Sequence, residues 1–104
     1  MKELIEADRI GIIGPIRQEL LSGILDRAQF LRLKTALSAF EDLSLRTEHF
    51  EKAAEFSNHC RKAGVQGSSI DFLLCAVAAL EDWTIFTTDR DFIAYRRHLP
   101  IRIA

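Results

Sequence analysis

Apolar and polar positions alternate in short blocks along this chain. "IGII", over 10–13, is an apolar run closed by Gly14 and predicts a buried strand. Pro15 suits the first position of a helix, "PIRQELLSGIL", on which Ile16, Leu20 and Ile24 recur at the spacing of a packed face. A second helix is predicted in "DRAQFLRLKTALSAFED", with Asp26 as N-cap and Phe30, Leu33, Leu37 and Phe40 as its apolar stripe. "LSLR", over 43–46, alternates and predicts a short strand. Thr47 then caps "EHFEKAAEFSNHCRKAG", whose predicted inner side carries Phe50, Ala53, Ala54 and Cys60, and Gly64 closes it.

The most apolar run is "FLLCAVAAL", over 72–80. It predicts a central helix, apolar nearly all round, opened by Ser68 or Ser69. Ser68 with Asp71 three residues on has the form of a capping box, with Asp in place of the usual Glu. "WTIFTT" predicts a buried strand, "DFIAYRRHL" a short helix and "IRIA" a last strand. At the other end "KELIEA" reads as the last turns of a helix. Strands alternating with helices imply an α/β fold, a mainly parallel sheet covered on both faces in three layers.

Length and composition narrow the picture. A chain of 104 residues is one domain, 1–104, and its 48% apolar and 28% charged residues are those of a globular protein. A formal net charge of -1 gives no global pull toward nucleic acid or an anionic membrane, so any RNA contact needs a local basic patch. The apolar run over 72–80 is too short to span a bilayer, which takes about 20 residues. Cys60 and Cys75 match no metal or redox spacing, and Cys75 reads as a buried thiol. A reducing cytoplasm is the expected compartment.

The candidate chemistry is acidic. Open α/β sheets bind ligands beyond the carboxyl ends of their strands. Asp89 and Asp91 stand at that end of "TIFTT", Glu19 lies on the helix that follows "IGII", and Asp71 lies in the first turn of the central helix. Carboxylates from three segments gathered on one rim would repel each other, and a hard divalent cation relieves that repulsion. Each acid also has a plainer role. Asp71 serves equally as a helix-terminal charge, Asp89 and Asp91 as turn residues, and Glu19 as a solvated helix residue. The histidines His49, His59 and His98 show no ligand spacing, and Arg96, Arg97 and Arg102 read first as a solvated basic group.

"GPIRQELLSGI", "GSSIDFLLCAVA" and "FTTDRDF" resemble, in order and spacing, the motif set of the PIN domain, and within it the toxin ribonucleases of the VapC type. The resemblance implies Mg²⁺ or Mn²⁺ held by Glu19, Asp71 and Asp89, with Asp91 as a weaker fourth, and RNA cleavage by a metal-bound water. It also implies homodimers and a cognate antitoxin that blocks the acidic cleft. That family opens with an apolar strand, central in its sheet and ending in an aspartate. Nothing in "MKELIEADR" matches it, so the domain reads as N-terminally truncated. The sheet is then expected to have a gap between "IGII" and "TIFTT". Unpaired buried backbone groups cost about 1–3 kcal/mol each, so the expected remedy is direct pairing of those two strands or a strand swapped between copies. The alternative to a nuclease is a non-catalytic PIN scaffold that binds an antitoxin or itself. A phosphoacceptor domain fits less well, because no lysine follows "TIFTT".

Overall fold

A computed structural model describes the backbone of residues 4–6 and 10–104 and the side chains of residues 12–104. In chain order its elements are β1 (Leu4–Glu6), β2 (Ile10–Ile13), α1 (Gly14–Leu21), α2 (Arg27–Leu37), β3 (Glu41–Leu43), α3 (Thr47–Lys62), α4 (Ser69–Glu81), β4 (Thr84–Phe86), α5 (Asp91–Arg96) and β5 (Arg102–Ile103). The strands form one five-stranded sheet in the order β3-β2-β1-β4-β5. β2 runs parallel to β3 and β4 parallel to β5, while β1 lies between β2 and β4 and is antiparallel to both. Four strands therefore point one way, and the carboxyl ends of β2 and β4 lie on the same edge.

The middle of the sheet corrects two expectations. Leu4–Glu6 is a strand rather than the end of a helix, while Lys2, Glu3 and Ala7 of the same stretch lie outside the described residues. The two strands expected to pair directly do not. Ile5 stands opposite Gly11 on one side and Ile85 on the other. The physical reason is backbone satisfaction: β2 and β4 each present a row of donors and acceptors that require a partner strand. Three residues are enough to supply it, and a segment that short carries no periodicity to separate strand from helix.

Helix boundaries follow local chemistry. Asp26 caps α2 as its pattern predicts, its Oδ2 accepting from the Gln29 N–H at 2.9 Å. α1 ends at Leu21, earlier than its apolar spacing suggests, because the backbone N–H and hydroxyl of Ser22 both turn back to the Gln18 carbonyl and Gly23 takes φ +88. Ile24 thus lies beyond the helix. The third strand is Glu41–Leu43, displaced toward the N-terminus from "LSLR". Arg17 fixes that corner, donating to the Leu37 and Phe40 carbonyls at 3.0 and 2.7 Å and pairing with Asp42 at 2.9 Å. These carbonyls lie at and just beyond the end of α2, where acceptors lack i+4 helical partners.

α3 and α4 pack along each other. The inner side of α3 is His49, Phe56 and Cys60 rather than the Phe50 and Ala54 expected, and Phe50 is 52% exposed. α3 closes at Gly64 with φ +80, where Val65 N–H reaches the Cys60 carbonyl at 2.8 Å and Gly64 N–H the Arg61 carbonyl at 3.0 Å. α4 is the core helix, with every residue from Phe72 to Ala78 buried. It packs with Ile12, Ile13 and Ile16 from β2 and α1, Ile85 from β4 and Phe92 from α5. Burying one such large side chain contributes about 1.5–3 kcal/mol.

Candidate active site

The start of α4 is fixed first by its backbone. Ser68 is the N-cap, and its hydroxyl accepts from the Asp71 N–H at 3.1 Å. That places Asp71 in the first turn with its carboxylate turned away from the cap. Its Oδ2 accepts instead from the Tyr95 hydroxyl of α5 at 2.7 Å. Tyr95 is fully buried, its ring 5.1 Å from both the Phe72 and Phe92 rings. Gly67 makes room for it: a Cβ at that position would collide with the Tyr95 hydroxyl and Cζ. The phenol is pushed well above its ordinary value, first by burial, then by the hydrogen bond and charge of Asp71, then by the charges of Asp91 and Cys75. Burial also raises the Cys75 thiol, with the Asp71 charge adding to it.

The loop after β4 is a chain of local bonds. The Thr87 hydroxyl accepts from the Asp89 N–H at 3.0 Å, and Asp89 Oδ1 accepts from the Asp91 N–H at 2.9 Å. Asp89 therefore opens α5 through an Asx turn, which is the plainer of its two expected roles. Asp89 and Asp91 are both exposed, at the carboxyl end of β4. The charge of Asp91 adds to that of Asp71 in raising the Tyr95 phenol. Glu19, on α1 beyond the carboxyl end of β2, is half-buried and makes no hydrogen bond or ion pair among the described residues.

Among the described residues no three of the aspartates, glutamates, histidines or cysteines stand close enough to hold a metal ion together. The donors present are nonetheless carboxylate oxygens, the ligands of Mg²⁺ and Mn²⁺, and Mg²⁺ is commonly held by one or two carboxylates with the rest of its shell water. In kind the set fits such an ion; in number it stops short of a closed site.

The family model described as the PIN domain matches residues 1–98. The chain is a PIN domain. A search among curated proteins found no match. The small α/β fold and the acids at the carboxyl edge of its sheet accord with membership of a family that is generally nuclease-like and typically binds divalent metals. Among the described residues of this PIN domain, no helix is long and apolar enough to cross a membrane.

Two features escape sequence reasoning. Tyr95 lies 24 residues from Asp71, and no spacing rule joins them. His49 is buried at the other end of α4, accepting at Nδ1 from the Arg46 N–H and meeting Glu81 Oε2 from Nε2, both at 2.9 Å. A signal for the first bond does exist: His49 occupies the third helical position, where a capping-box Glu would reach back. Arg96, Arg97 and Arg102 are all exposed, as a solvated basic group would be, and Arg102 also bonds to Asp82 and Thr84.

Proposed function

We propose that this PIN domain is a Mg²⁺- or Mn²⁺-dependent ribonuclease of the VapC toxin type. The observation that carries the reading is the Asp71 carboxylate. It accepts from a neutral phenol, which fixes the group without cancelling its charge. Asp89 and Asp91 add negative charge at the end of the neighbouring strand, and Glu19 completes the set from α1. A divalent cation bound there would orient water and offset charge on the phosphate being cleaved. Asp71 would offer such a cation its second oxygen, Oδ1. Asp89 keeps Oδ2 free while Oδ1 holds the turn. Asp91 acts on the outer shell. The domain spans 1–104, acts in the cytoplasm, forms a homo-oligomer and is inhibited by a cognate antitoxin.

A second reading, a scaffold that binds an antitoxin or itself without turnover, is favoured by the failure of the described acids to gather in threes. Calorimetry with Mn²⁺, alongside cleavage of a mixed RNA substrate, separates the two. The nuclease reading expects binding that Asp71→Ala and Asp89→Ala both abolish, with cleavage lost in the same variants. No binding by the unaltered protein would leave the scaffold reading in its place.

A further inference from the structure

We propose that Tyr95 is a positioning residue for Asp71, and that Gly67 is the position that admits it. This rests on the reading of Asp71 as a metal ligand and adds to it a residue that the acidic motifs do not contain. A carboxylate on a helix has two torsions to settle, and either oxygen can turn toward a cation. The Tyr95 hydroxyl takes Oδ2 at 2.7 Å and leaves Oδ1 as the oxygen available to a ligand. The hydroxyl itself cannot wander, because its ring is fully buried between Phe72 and Phe92. Its outer end abuts the backbone of Gly67, one residue before the Ser68 cap. Ser68 fixes the Asp71 backbone through its N–H, and Tyr95 fixes the side chain. Partners of this kind orient metal-ligating carboxylates, and their loss typically weakens metal affinity by about 10–100-fold.

The test is Mn²⁺ affinity, measured by calorimetry on the whole chain, with thermal denaturation of each metal-free variant alongside. Tyr95→Phe keeps the ring and removes only the donor. It is expected to bind Mn²⁺ about tenfold more weakly. Gly67→Ala is expected to do the same from the opposite side, by displacing the hydroxyl, and it decides the matter if Tyr95→Phe fails to fold. Ile101→Ala is the control, a buried side chain of the last segment that takes no part in the hydrogen bonds holding Asp71. It lowers the melting temperature and should leave the Mn²⁺ affinity unchanged, a result that a merely structural role for Tyr95 would not give. If the unaltered chain binds Mn²⁺ and Tyr95→Phe binds it equally well, the positioning role is overturned and the metal site stands. If Ile101→Ala weakens binding as much as Tyr95→Phe, affinity is following stability and the role is again overturned. If the unaltered chain binds no Mn²⁺, the metal reading falls and this inference falls with it.

Discussion

Helix α4 carries one carboxylate near each end, and the two are treated differently. Glu81, in the last turn, meets cationic Arg46 at 2.9 Å and the buried His49 imidazole at 2.9 Å. Its charge is answered, and the contact ties the start of α3 to the end of α4. Asp71, in the first turn, receives a single bond from a neutral hydroxyl. Its position is fixed, and among the described residues its charge meets no cationic side chain. The imidazole bonds are consistent with one tautomer, Nδ1 accepting and Nε2–H donating, so His49 needs no charge to hold both ends. The difference separates an acid fastened by a countercharge from one fastened by a neutral group on the same helix. Under the proposed reading, an acid that only fastens the fold is given a countercharge, whereas an acid kept for a cation is held by a group that leaves its charge available.

The largest effect that tests this comparison is at the Asp71 end. Tyr95→Ala removes a fully buried ring from between Phe72 and Phe92 and should cost about 3–5 kcal/mol, read as a fall in the denaturant midpoint at constant slope. At the Glu81 end, His49→Ala strands the Arg46 N–H and loses the Glu81 contact, for a loss of about 1–3 kcal/mol. His49→Asn, whose amide oxygen can replace Nδ1, should recover part of that loss. Neither histidine variant should alter Mn²⁺ affinity. If one does, the two ends are coupled and the comparison breaks.

A pH experiment sharpens it further. The phenol of Tyr95 is raised in the folded chain, so the fold grips that proton more tightly than the unfolded chain does. The corresponding stability is intact below about pH 10 and is lost as pH rises beyond it, at up to ~1.4 kcal/mol per pH unit. Cys75 contributes in the same sense above about pH 9. Tyr95→Phe should remove the tyrosine share of this alkaline loss in denaturation measured across that range. The chain has one tyrosine, so phenolate absorbance reports Tyr95 alone. It should stay silent until the fold gives way.

The smallest expected effect lies just past Glu81. Asp82 sits at φ 58, a left-handed position that costs a non-glycine residue about 1 kcal/mol. The Arg102 guanidinium offsets this, donating to the Asp82 carboxylate at 2.6 Å and to its carbonyl at 2.9 Å. Asp82→Gly relieves the backbone and gives up an exposed ion pair worth about 0–1 kcal/mol, so the melting temperature should barely move.

What was legible in the sequence was what local chemistry decides. Ser68, Asp26 and Gly64 act at the helix ends where their side chains, or lack of one, require it. The apolar run of α4 could only be a core helix. The acids of the rim were legible as residue types in order, through the motifs they share with PIN domains. Their mutual geometry was not, because Asp89 answers to its own turn and Asp71 to a tyrosine on another element. Phe50 misled because apolar spacing on α3 also fits a groove of about 350 Å³, lined by Phe50, Ala53, Ala54, Ile70 and Leu73. β1 was lost because three residues hold no period, and its place is set by partners far along the chain.

That last point bears on how the molecule is made. Of the described strands β1 is made first, yet one of its two hydrogen-bonding neighbours is β4, which follows four intervening helices. Until β4 emerges, β1, β2 and β3 can form a three-stranded sheet at most, with one edge of β1 unpaired. The sheet is zipped shut late, by a contact of high sequence separation, and such contacts slow folding. A nascent chain of this protein therefore carries the middle of its sheet unfinished through the synthesis of the four helices between β2 and β4.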